Sequence, residues 1–223
     1  IHRLDLGLMR AYAKPTLASY YTKANSNTSV IITNEFTSSS RNSSSVRTGR
    51  VLVSSHVWGM SKFSSTTGAL IEQVECPELP ECEYNTTAVW FNLSSILGVS
   101  PSDRIARCAI AHAASHALTF AACLVAQCST ADISCVHSSG ETTTAADDHR
   151  ILLYDTRQGG LGISDILLKH CSLWVNTALQ LLVSCPCANG CPLCLFDNTC
   201  SLRNRHLHKK GAIALLEELS TKD

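Results

Sequence analysis

At 223 residues and 45% hydrophobic content, the chain can bury a sizeable core, as one large domain or two closely packed lobes. Eighteen basic residues balance eighteen acidic ones, which excludes an overall field drawing the chain onto nucleic acid or a membrane; such contact needs a local patch. No apolar run is read as reaching the ~18 residues of a membrane span and no signal-peptide pattern at the start, where Ile1 reads as the beginning of a fragment or processed product.

Residues 17–93 read as β-rich. "SVIIT", "GRVLVSSHVWGMSKF", "ALIEQVEC" and "TTAVWFNL" alternate apolar and polar positions between Gly-bearing turns, the pattern of antiparallel strands. Residues 37–45, "TSSSRNSSS", form a polar low-complexity loop, and "TTG" at 66–68 a hairpin tip. A helix is predicted from Ser100, with Ser100 as cap, Pro101 in the first turn and Asp103 completing a capping-box-like start. From Ile105 to Val125 it is apolar nearly all round, the mark of a buried helix. After a polar loop at 140–149, "ILLYD" (151–155) reads as a short buried strand, "TRQGGLG" as a tight turn and 164–184 as a second long helix. "GAIALLEELS" closes the pattern with apolar residues at helical spacing. The fold class is α+β: a β-rich lobe over 1–99, and a helical lobe over 100–223 that carries the short strand and a cysteine loop at 185–200.

Twelve cysteines and four Asn-x-Ser/Thr sequons, at Asn27, Asn42, Asn85 and Asn92, would suit a secreted disulfide framework. Sequons arise easily in a chain rich in Ser and Thr. Cys108, Cys123, Cys128 and Cys171 sit in apolar helical patterns as small hydrophobes, so a reducing compartment is expected.

Five cysteines crowd into sixteen residues, "CPCANGCPLCLFDNTC". Cys191 and Cys194 have the two-residue gap of zinc knuckles, Asn189-Gly190 supplies a turn needing positive φ, and Pro192 stiffens the loop. Disulfides fit poorly, because Cys185 and Cys187 are too close to bridge and five is odd. A redox pair would need a thioredoxin-like setting. Structural Zn²⁺ is the expectation, held by four of Cys185, Cys187, Cys191, Cys194 and Cys200, with Cys185 or Cys200 as the fourth ligand.

Three further features compete with ordinary structural roles. His112 and His116 lie one helical turn apart, but Ala113 stands where a metalloprotease needs Glu. They read as buried hydrogen-bonded histidines or as a polar cluster with Asp132 or Asp155. "YDTRQGGLG" could cradle a phosphate but matches no nucleotide-binding fingerprint, so a plain turn is preferred. "RNRHLHKKG" is locally basic, and Lys209 and Lys210 start a helix whose dipole disfavours cations there. That misfit suggests a DNA-facing edge of Arg203, Arg205, Lys209 and Lys210, against a plain solvated turn. No catalytic motif is read in the chain.

Taken together, these segments resemble the C-terminal zinc-binding domain of the MrfA and Hrq class of superfamily 2 DNA helicases. "LASYYT", "VWGMSKFSSTTGALIE", "YNTTAVWFNL", "AHAASHAL" with "ADI", "ILLYDTRQGGLG" and "CPCANGCPLC" fall in the family's order over residues 17–219. Cys200, Asn204, Leu207, Lys209 and Gly211 then match its C-x3-N-x2-L-x-K-x-G run. Ser134-Cys135 and Leu193 depart from the pattern. The resemblance implies a parent that translocates 3′ to 5′ on DNA using ATP and Mg²⁺ in motor domains of the same chain. It implies action in DNA repair inside the cell, in the nucleus, on single-stranded or forked DNA, with this domain helping to position or enclose the DNA. The competing readings are a zinc-organised protein-interaction module without DNA contact, and an independent hydrolase using His112, His116 and Asp155 around a second metal.

Overall fold

The computed structural model describes residues 1–5, 7–36, 46–75, 80–93, 103–137 and 150–220. The loop predicted at 37–45, the cap expected at Ser100 and Pro101, and the loop at 140–149 lie outside the described residues. The chain divides into two compact units, Ile1–Thr28 with Ser55–Cys82, and Ser29–Ser54 with Glu83–Asp223.

In the first unit, strands β1 (Arg3–Asp5) and β2 (Arg10–Tyr12) form an antiparallel pair. The later part of β4 (Val46–Ser64) pairs antiparallel with β5 (Leu70–Glu75), from Gly59↔Glu75 to Phe63↔Leu70. Their connection is the predicted hairpin tip, closed by Gly68 at φ 68° and by Thr67 N–H donating to Ser64 Oγ at 3.2 Å. Tyr21, on β3 (Tyr20–Phe36), stacks on Phe63 with ring centroids 5.4 Å apart.

The second unit holds the core. Its sheet runs in the order β3-β4-β6-β8-β7, with β6 at Cys82–Asn92, β7 at Ile133–His137 and β8 at Arg150–Asp155. β8 lies antiparallel to both neighbours, Ala88 opposite Tyr154 and Ile133 opposite Asp155. Alternation sorts the side chains: Val89, Phe91, Ile151 and Leu153 join the main core with the helices, while Ala88, Trp90, Leu152 and Tyr154 pack with Val51 and Val53. Burial on both faces is why "AVWF" and "ILLY" read as continuous apolar runs. β6, expected with the β-rich lobe, thus lies almost wholly in the unit that carries the helices.

Helix α1 (Arg104–Ala126) starts on Asp103, whose carboxylate accepts the Ala106 N–H at 3.0 Å. Contrary to the sequence expectation, Ile105–Ala126 is long and apolar enough to span a membrane; 67% of its most apolar window is buried inside the protein, as befits a core helix. It is not buried all round, since Ile105 and Leu124 near its ends are 78% and 61% exposed. Its middle is lined by Ala113, Ala114, Ala117, Ala121 and Ala122, small residues that admit close neighbours. Trp174 fills the space beside it, donating Nε1–H to the Leu118 carbonyl at 2.8 Å and meeting Phe91 at 5.2 Å.

The second long helix is two. α2 (Ile163–Lys169) and α3 (Cys171–Val183) meet at a 90° bend at His170. α2 packs on β8 and α3 runs against α1. α4 (Lys209–Ser220) completes the layer on α1 and α3.

Candidate metal centre

α3 delivers the chain into an irregular segment where Cys185, Cys187, Cys191 and Cys194 converge, their sulfurs all within 4.8 Å of one another. Four of the separations are 3.6 Å (Cys185–Cys187), 3.5 Å (Cys185–Cys191), 3.5 Å (Cys187–Cys194) and 3.8 Å (Cys191–Cys194). A tetrahedral ion with Zn–S bonds of about 2.3 Å sets its sulfurs about 3.8 Å apart, whereas a disulfide needs about 2.05 Å. The donor set is therefore compatible with zinc, and none of these four thiols is paired as a disulfide.

Local geometry builds this cradle. Cys194, Leu195 and Phe196 all turn their N–H groups to the Cys191 carbonyl, at 3.1, 2.9 and 3.0 Å, which folds the C-x-x-C arm into a knuckle. Gly190 precedes it at φ 107°, a conformation L side chains rarely adopt. Cys194 and Leu195 are fully buried and tie the knuckle to the core. Burial pushes the Cys194 thiol up to about 12. Burial also pushes the Cys187 thiol up, but the neighbouring Cys194 and Cys185 and the Lys209 ammonium outweigh it and bring Cys187 down to about 6.

Lys209 corrects the expected DNA-facing edge. It is 5% exposed and turned inward, its Nζ donating to the carbonyls of Cys185 and Cys187 at 2.7 and 2.8 Å, with the Cys187 sulfur at 3.3 Å. An ammonium has three N–H donors, and here each finds an acceptor, which is why burying it is tolerable. Arg203, Arg205 and Lys210 stay exposed. Arg203 and Arg205 line a concavity of about 260 Å³ with Ser201, Leu202 and His206.

Cys200 stands apart from the four. Its sulfur lies 3.4 Å from His112 Nε2, and the loop behind it is pinned by Asn204, which accepts the Asp197 N–H at 2.9 Å and donates to the Asp197 carbonyl at 2.8 Å. His112 and His116 meet edge to face with centroids 4.6 Å apart, and His137 stacks obliquely on His112 at 5.0 Å. Burial, then the nearby His116 and His137, hold His112 down to about 4, and burial lowers His137 too. His112 is therefore uncharged near neutral pH.

The predicted polar cluster does not include the aspartates. Asp155, fully buried, accepts the N–H groups of Leu161 (2.5 Å), Ile163 (3.2 Å) and Ser164 (3.3 Å) and the Ser164 hydroxyl (2.8 Å). The donors that could have cradled a phosphate are thus taken by the chain's own carboxylate. Asp132 accepts the Ser129 N–H at 3.1 Å in the turn before β7. Sequence reasoning missed His137, whose place in a short strand carries no signal, and the link from Cys200 to His112, which spans 88 residues.

This fold and four-thiol cluster are those of a zinc-binding module. Residues 114–195 match the family model of the MrfA Zn-binding domain. The chain is 25% identical to the uncharacterized ATP-dependent helicase YprA of Bacillus subtilis over 223 residues, 99% of this chain and 28% of YprA. It is 30% identical to the ATP-dependent helicase HRQ1 of Saccharomyces cerevisiae over 69 residues, 30% of this chain and 6% of HRQ1. Its fold is similar to the crystal structure of the DUF1998 helicase MrfA bound to DNA, at TM-score 0.65 and 23% identity over 99% of this chain and 28% of that one. The chain is a zinc-binding domain related to the MrfA and YprA helicases, and it spans under a third of the length of YprA.

Proposed function

We propose that this chain is the accessory module of an ATP-dependent 3′–5′ DNA helicase acting in DNA repair, in which Cys185, Cys187, Cys191 and Cys194 hold one structural Zn²⁺. The observation that carries the zinc assignment is the set of sulfur separations, 3.5–3.8 Å, close to the edge of a four-thiolate tetrahedron. Zinc there closes a loop that has little apolar core of its own and fixes the start of α4 through Lys209. It leaves no open coordination position, so the ion is structural. ATP and Mg²⁺ belong to motor domains of the same parent, which works inside the cell and in its nucleus.

In this reading the zinc loop presents Arg203 and Arg205, and the first turn of α4 presents Lys210, to the phosphates of single-stranded or forked DNA, and together they help position it beside the motor. Their exposure and the likeness over 99% of the chain to a DNA-bound helicase support it. The test is anisotropy of labelled single-stranded and forked DNA over a salt series, comparing the native chain with Arg203→Ala/Arg205→Ala/Lys210→Ala. Three lost phosphate contacts should weaken binding and flatten the log K against log salt slope by about 2 on single strands. An unchanged slope favours the rival, a zinc-built protein-docking surface without DNA contact.

A further inference from the structure

We infer that His112, His116 and Cys200 form a second metal site, for a divalent ion of the zinc type, that clamps the loop after the cysteine cluster onto α1. One donor atom from each residue lies within 4.8 Å of the others, and both histidines are buried. The Cys200 sulfur stands 3.4 Å from His112 Nε2. Zn–N bonds of about 2.0 Å and Zn–S bonds of about 2.3 Å make the nitrogen–sulfur edge of a tetrahedron about 3.5 Å.

His116 is oriented as a ligand. His116 Nδ1 lies 2.7 Å from the buried Leu195 carbonyl, which can only accept, so the proton sits on Nδ1 and Nε2 keeps a free lone pair. Leu195 follows Cys194 directly, so the carbonyl that orients His116 is positioned by the knuckle itself. Cys200 is set from the other side by the Asn204 N–H, 3.3 Å from its sulfur. Two imidazoles and one thiol are borderline-soft donors, which suits Zn²⁺ or Co²⁺ rather than Mg²⁺ or Ca²⁺. The fourth position is left to water, since His137, though its ring centroid lies 5.0 Å from that of His112, does not join the other three donors within 4.8 Å.

The competing account is a dry cluster of neutral histidines with Cys200 as a weak hydrogen-bond donor. Cobalt titration of the full metal-free chain separates the two. The native chain should take up two equivalents, and Cys200→Ser should lose one while keeping the four-thiolate spectrum of the other. Binding of a single equivalent, or a second equivalent that survives Cys200→Ser, overturns the proposal. Should Cys200→Ser fail to fold, X-ray absorption of the zinc-loaded native chain decides. Nitrogen as well as sulfur scatterers in the first shell support a mixed site, and sulfur alone overturns it.

Discussion

Lys209 Nζ lies 3.3 Å from the Cys187 sulfur, a contact spanning 22 residues that joins the first residue of α4 to the cysteine loop. The same ammonium satisfies the carbonyls of Cys185 and Cys187. Lys209→Met keeps much of the stem but removes all three donors, leaving two carbonyls short of a partner. About 2 kcal/mol of stability should be lost, with faster zinc release to a chelator. Lys210→Met, one residue on and exposed, should stay within about 0.5 kcal/mol. Urea melts at saturating zinc measure both; equal losses would show that Lys209 does not brace the loop.

This residue also shows what could be read in advance. A lysine at a helix start is visibly misplaced in the sequence, but which way it turns depends on acceptors some two dozen residues away. The four-thiol spacing was legible because the C-x-x-C arm is local. Cys200 was not separable from the set, since its partner sits on α1. The bend at His170 left no trace either. Ile163, Leu167, Cys171, Trp174, Ala178 and Leu182 are all buried and keep helical spacing straight through it. Strands β3 to β6 and β8 fared better, because period-two alternation and two-sided burial leave their marks residue by residue, whereas the short β1, β2 and β7 left none.

Asp155 should be the most sensitive polar residue of the turn into α2. Asp155→Ala strips four donors of a charged acceptor inside the core, and an expected loss of about 3 kcal/mol follows. Ser164→Ala removes one of the four and should cost about 1 kcal/mol. Chemical denaturation checks the ratio, and a mild Asp155→Ala would refute the capping role.

Chelation should act locally. Removing the ion proposed for Cys185, Cys187, Cys191 and Cys194 frees a loop without regular structure from Ser184 to His208, while Trp90, Leu152 and Val51 pack elsewhere. Hydrogen exchange should speed up from residue 185 to the first turn of α4, with β6 and β8 still protected. Thiol titration should show the loop cysteines newly reactive and buried Cys171 still slow. Uniform loss of protection across the sheet would mean that the metal supports the whole fold.

Gly211 sets how closely α4 approaches α1. A Cβ at this position would stand 2.4 Å from Ile110 Cγ1 and 2.7 Å from its Cδ1, well inside contact distance. Alanine is otherwise the better helix residue by about 1 kcal/mol, so propensity alone predicts that Gly211→Ala stabilises. Overlap should win, because Ile110 is itself buried and β-branched, with little room to turn aside. The expected net loss is about 1–2 kcal/mol. Ile110→Ala alone opens a cavity and should cost about 2–4 kcal/mol, yet in the double variant the new methyl group occupies part of that space. The two changes should therefore cost less together than their sum, by about 1 kcal/mol or more. A thermodynamic cycle from urea melts measures the coupling; simple additivity would mean that the helices part to admit the methyl, and that Gly211 is not the point where they are held.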